Sequence, residues 1–107
     1  MKKSLIILLI IISNNAFAGW AKHCGDIKTI RTWANGNDTY GVWVELKNNP
    51  SSCAGGFYLA QTANNRDMVY STALASKMAN QKICFQTSNT SGKISNRCKI
   101  NYIFQAY

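Results

Sequence analysis

Acidic side chains are scarce in this chain. Asp26, Asp38, Glu45 and Asp67 are the only four carboxylates in 107 residues, against twelve Lys and Arg. That scarcity leaves no pair of facing carboxylates for glycoside hydrolysis. Asp26 and Asp38 flank an expected strand, nearly its length apart, and Asp67 reads as a helix N-cap. Histidine is rarer still. His23 is the only one, and beside Cys24 it reads as a surface residue in a frayed end, not a general base. No Cys-x-x-Cys, His pair or phosphate loop occurs. These absences exclude the usual hydrolase and metal chemistries, so the chain is expected not to be an enzyme. They leave no catalytic residue, no metal site and no cofactor to expect. Long apolar runs are also missing. The longest, Leu5–Ile12, falls well short of the roughly 20 residues that cross a bilayer.

That short run has its own meaning. Met1-Lys2-Lys3 precedes it and Ala16-Phe17-Ala18 follows it. A basic start, an apolar middle and an A-x-A end make a secretory signal peptide over residues 1–18. One domain, 19–107, is then expected, exported through the periplasm and secreted, with no integral membrane segment. Without Lys2 and Lys3 the ten remaining Lys and Arg face four acids, a net charge of +6. Such a surface favours acidic partners, although the cations are scattered. Cys24, Cys53, Cys84 and Cys98 are an even set in a short exported chain, which reads as two disulfides.

Strands are expected over 26–33, 40–47, 56–60, 83–85 and 98–104, from β-branched and aromatic content and alternation. In the second, Tyr40, Val42, Val44 and Leu46 share one face, Trp43 and Glu45 the other. Asn35-Gly36-Asn37-Asp38 marks a turn. A helix is expected after Asp67, with Tyr70, Leu74 and Met78 in one row and a stop at Asn80. Three strands, one helix and two strands is the order of the OB-fold, a mainly β, five-stranded Greek-key barrel. A hairpin of the first two strands brings Cys24 near Cys53, and the last two strands carry Cys84 and Cys98. The expected disulfides are therefore Cys24–Cys53 and Cys84–Cys98, although Cys84 and Cys98 fall on faces that only a twist or bulge reconciles.

With eleven aromatics after residue 18 and no catalytic set, a binding protein is the reading. Trp33, Tyr40 and Trp43 crowd the first hairpin beside Arg31, Asn37 and Asp38, the mixture of flat rings and hydrogen-bonding groups that sugars need. OB-fold ligands lie against strands two and three and the neighbouring loops. That adds Trp43 with Glu45, and Lys93 on the loop 88–96. Trp33 and Trp43 read equally well as core or subunit-interface residues.

Several segments resemble one family. Val69-Tyr70-Ser71-Thr72-Ala73-Leu74 and Ala79-Asn80-Gln81-Lys82-Ile83-Cys84-Phe85 are similar to the helix-to-strand passage of the binding (B) subunits of subtilase cytotoxin and of pertussis-like, typhoid-type toxins. Cys24-Gly25-Asp26-Ile27-Lys28-Thr29-Ile30 and Thr39-Tyr40-Gly41-Val42-Trp43-Val44-Glu45 resemble that family's first and second strands. The resemblance implies an OB-fold protomer in a homopentamer that attaches to cell-surface glycans and delivers a separate enzymatic A subunit in virulence. Where the family has a small hydroxyl residue that contacts sialic acid, this chain has Cys24, so that specificity does not carry over. The other readings are a monomeric exported inhibitor or effector of an acidic protein, and a nucleic-acid-binding domain. Export and scattered charge count against nucleic acid.

Overall fold

The computed structural model describes residues 19–88 and 91–106, so the signal peptide expected over 1–18 lies outside the described residues. The elements are β1 (Trp20–Gly25), β2 (Ile27–Thr32), β3 (Tyr40–Leu46), a 3-10 turn (Ser51–Cys53), β4 (Gly56–Ala60), α1 (Arg66–Met78), β5 (Ile83–Ser88) and β6 (Arg97–Gln105). All strands belong to one mixed sheet in the order β1-β5-β6-β4-β3-β2. The pairs are antiparallel except β4 with β6, which run parallel from Gly56↔Arg97 to Tyr58↔Lys99. The chain is thus mainly β, with one helix among the described residues, set before the last two strands.

Six strands appear where five were expected. The additional one, β1, pairs with β5 from Trp20↔Ser88 to Gly25↔Ile83. Its sequence, WAKHCG, has no β-branched residue, and its partner lies far along the chain. Asp26 alone separates β1 from β2, yet these two strands stand at opposite ends of the strand order. His23 consequently belongs to a strand and not to a frayed end. Its half-buried ring lies 5.8 Å from Phe57, and burial pushes its pKa below the ordinary 6.5.

The alternation in β3 holds from Val42 onward. Val42, Val44 and Leu46 are buried in the core with Ile27, Phe57, Leu59, Ile83, Phe85 and Ile100. Each such side chain contributes about 1.5–3 kcal/mol by leaving water. Tyr40 departs from the expected face. An irregularity in the β3–β4 register between Tyr40 and Val42 places its ring against Trp43 instead. Gly56 begins β4 at φ +99°, where a Cβ would lie 2.6 Å from the Val44 carbonyl oxygen. Only glycine lets β4 start this close to β3.

Helix α1 also corrects details. Asn65 holds the N-cap position without a side-chain cap bond, and Asp67 lies in the first turn, where a carboxylate still favours the helix dipole. The stop at Asn80 stands. This residue has φ +55°, Gln81 N–H donates to Ser76 O (2.9 Å) and Asn80 N–H to Lys77 O (3.2 Å), a Schellman closure. The buried residues are Ala73 and Ser76, whereas Met78 is 78% exposed. Small side chains on the inner stripe bring the helix close to the sheet, and Ser76 Oγ is satisfied there by Gln105 Nε2 at 3.0 Å.

All four cysteines are bridged, but the expected pairing is wrong. The bonds are Cys24–Cys84 and Cys53–Cys98. Cys24 and Cys84 face each other across β1 and β5 with Cα atoms 4.0 Å apart. Cys53 closes the 3-10 turn just before β4, whose Phe57 pairs with Cys98. Both bonds thus follow pairings that the two expected hairpins do not contain. No helix among the described residues is long and apolar enough to cross a membrane, and no cluster of three His, Cys, Asp or Glu among them is arranged for a metal.

Candidate functional site

The outer face of β2, β3 and β4 carries a group of aromatic rings. Arg31 pairs with Trp43 in the β2–β3 register, and Trp43 with Tyr58 across β3 and β4. These residues face away from the main core cluster and share one face of the sheet, on which Tyr58 is buried. Trp33, two residues beyond Arg31, turns its ring parallel to Trp43 at 6.0 Å and lies 5.4 Å from Tyr40. Tyr40 meets the edge of Tyr58 at 5.3 Å. Trp43 Nε1 donates to Gly55 O at 2.8 Å, anchoring the indole beside the start of β4.

Two arginines complete the cluster. The Arg31 guanidinium lies 4.9 Å from the Trp43 ring, and that of Arg97 lies 4.2 Å from it and 5.6 Å from Tyr40. Cation–π contacts of this kind contribute about 0.5–1 kcal/mol each at partly exposed sites. Arg31 Nη1 also donates to Glu45 Oε1, which accepts from Thr29 Oγ1 at 3.0 Å. Tyr58 OH donates to Gly92 O and so ties the β5–β6 loop to this face; burial raises the Tyr58 pKa.

The residues expected from sequence therefore divide. Arg31, Trp33, Trp43 and Glu45 come together. Trp43 is a pillar whose surroundings are taken by Trp33, Arg31 and Arg97, and Glu45 orients Arg31. Asp38 is occupied in the turn, where its Oδ1 accepts from Tyr40 N–H at 3.3 Å. Asn37 is exposed at the tip, and its N–H donates to Asn35 Oδ1 (3.1 Å). Lys93 is exposed on the loop held by Tyr58. Part of that loop, Asn89 and Thr90, lies outside the described residues.

Trp33 has a further surface. It lines a cavity of about 350 Å³ with Tyr70, Thr32, Gln61, Arg66 and Asp67. Gln61 Nε2 donates to Asn35 O at 2.8 Å, and Arg66 Nη1 donates to Gln61 O. Two aromatic walls with an amide, a guanidinium and a carboxylate at the rim suit a polar ring with apolar faces. Sequence reasoning missed Tyr58, Arg97, Gln61, Arg66 and Tyr70 as neighbours of this face. Tyr58 sits in an apolar run and Tyr70 in a helix row, so only tertiary placement shows the roles.

Glu45 offers a direct check of the geometry. The hydrogen bond from Arg31 holds its carboxyl below the ordinary 4.5, with Thr29 assisting and burial opposing. A depressed folded-state pKa means that the group stabilises the fold above the unfolded value and loses that contribution as pH falls through the folded one. For a surface pair the contribution is at most about 1 kcal/mol. A carboxyl NMR titration of Glu45 should thus give a midpoint below 4.5, moving up in Arg31→Gln. A midpoint at the ordinary value in the unsubstituted protein would refute the arrangement.

No family model, curated protein or solved structure matches this chain.

Proposed function

We propose that this chain is a secreted glycan-binding subunit, the B subunit of an AB-type toxin built on an OB-fold. The observation carrying the reading is the Trp33 ring, braced by Tyr40 and Trp43 on one side and edging the Tyr70–Arg66 cavity. Sugars are bound by such combinations of a flat ring and fixed hydrogen-bond donors. The strand order supports the fold. With β1 and β2 taken as two halves of one bent strand broken at Asp26, five strands remain, and the ends of the order are joined covalently. The parallel β4–β6 contact and the helix between β4 and β5 suit that Greek-key barrel. Two disulfides suit an oxidising compartment outside the cytoplasm.

In this reading the protomers form a homopentamer that carries an enzymatic A subunit to the cell surface. Five weak sites on one ring act together, and avidity multiplies their strength. The unpaired edges of β1 and β2 would be covered by neighbours, which removes an aggregation hazard.

The test is native mass spectrometry of the mature protein followed by a glycan array. A five-protomer assembly that binds cell-surface glycans, with binding reduced about tenfold or more in Trp33→Ala, is expected. A monomer that binds no sugar overturns the reading and favours an exported inhibitor of an acidic protein.

A further inference from the structure

A second cavity lies on the other flank of α1. The β4–β6 ladder ends at Tyr58↔Lys99. Beyond it β6 separates from β4, and the first half of α1 fills the gap only in part. What remains is a groove of about 490 Å³, within the range of roughly 300–1,000 Å³ typical of small-ligand sites. Its floor is apolar, formed in part by Leu59 and Ile103. Its rim carries Asn64, Asn65, Asn101 and Thr72, with Tyr102 41% exposed and Met68 70% exposed.

The rim chemistry is selective in one respect. None of the residues lining the groove is ionisable at neutral pH, in a chain of net charge +8. An anionic ligand finds no counter-ion inside, so the repulsion and attraction that sort charged ligands are absent. Amides, by contrast, present donor and acceptor side by side, as sugar hydroxyls do. Asn101 is already oriented, its Nδ2 donating to Gln86 Oε1 at 2.6 Å, and its carbonyl oxygen is an acceptor beside the groove it lines. Thr72 Oγ1 donates to Met68 O at 3.0 Å and keeps its lone pairs as acceptors. Tyr102, held beside Phe104 at 6.0 Å, supplies the flat apolar surface.

We infer that the groove between α1 and β6 is a second saccharide site, which takes a neutral pyranose stacked on Tyr102 and hydrogen-bonded by the surrounding asparagines. It shares no lining residue with the Trp33 cavity, and it stands whether or not that cavity binds glycan. One protomer then presents two sugar positions on opposite flanks of the first turns of α1, one bordered by Arg66 and Asp67 and this one lined by no group ionised at neutral pH.

The experiment is a titration of the isotopically labelled mature protein with the methyl glycosides of glucose, galactose, mannose and N-acetylglucosamine and, as the anionic comparison, with methyl N-acetylneuraminide, followed by NMR. For a ligand this small, affinity in the millimolar range is expected. At least one glycoside should shift the side-chain amides of Asn64, Asn65 and Asn101. That affinity should fall about tenfold in Tyr102→Ala and remain unchanged in Trp33→Ala. Asn101→Asp, nearly isosteric, should also weaken it and guards against misfolding of the first variant. Absence of any shift at the groove with all four glycosides overturns the inference. So do shifts that survive both Tyr102→Ala and Asn101→Asp, or stronger binding there of methyl N-acetylneuraminide. Shifts confined to Trp33 overturn it while leaving the first sugar site intact.

Discussion

Replacing Cys53 and Cys98 together by serine is expected to lower the midpoint of thermal unfolding by roughly 15–30 °C, given about 4–8 °C per kcal/mol in a domain of this size. The bond spans 45 residues, and the loop-entropy account assigns a closure of that length about 4 kcal/mol. Topology adds to this. The sheet consists of two antiparallel halves, β1-β5-β6 and β4-β3-β2, joined in the ladder only by the short parallel contact of β4 with β6. Cys53–Cys98 ties the turn before β4 to the middle rung of that contact, where Cys98 pairs with Phe57. The Cys24–Cys84 bond spans 60 residues, so entropy alone makes it worth about the same. It lies, however, inside the continuous β1–β5 ladder. Scanning calorimetry of the two double variants separates the effects, and the Cys53/Cys98 pair should lose more. Equal losses would show that the junction is not a weak seam. A peptide map that joined Cys24 to Cys53 would remove the basis of the prediction.

Phe57→Ala is the second large effect. The Phe57 ring has no exposed surface, stacks on Phe85 at 4.4 Å and also meets His23. It thereby packs a residue of β4 against β5 and β1, strands from the other half of the sheet. Truncation removes the transfer free energy and leaves a cavity that rigid strands close poorly, a cost of about 3–5 kcal/mol. Domains are commonly stable by only about 5–15 kcal/mol, so the variant should unfold at a much lower urea concentration. Its m-value should be unchanged. A loss below about 1 kcal/mol would place the main core elsewhere, since that is the size expected of surface changes.

The two variants together examine the same seam by different means. One removes a covalent tie from the 3-10 turn to β6, the other an apolar tie from β4 to β5 and β1. Combining them should show coupling, because both act on the contact between β4 and the β5–β6 half.

Local patterns carried much of this architecture. Alternation from Val42 to Leu46, the Asn35–Asp38 turn and the helix stop at Asn80 all depend on neighbours within a few residues, and each was readable in the chain. So was the presence of two disulfides, which follows from an even cysteine count in a short chain. The grouping of Arg31, Trp33, Trp43 and Glu45 was readable as well, because a two-stranded hairpin with a short turn fixes which side chains share a face.

What tertiary structure decided is whatever depends on partners far along the chain. The strand character of residues 20–25 comes from β5, and the disulfide partners come from β1–β5 and β4–β6 neighbours. No local pattern encodes such pairings, since the pleat repeats every two residues whichever strand lies alongside. The same reason explains Trp43 and Arg97. Alternation placed Trp43 outward, but only the arrival of Arg97 at the head of β6 turned it from an open ring into a braced pillar and left Trp33 as the ring at the cavity edge.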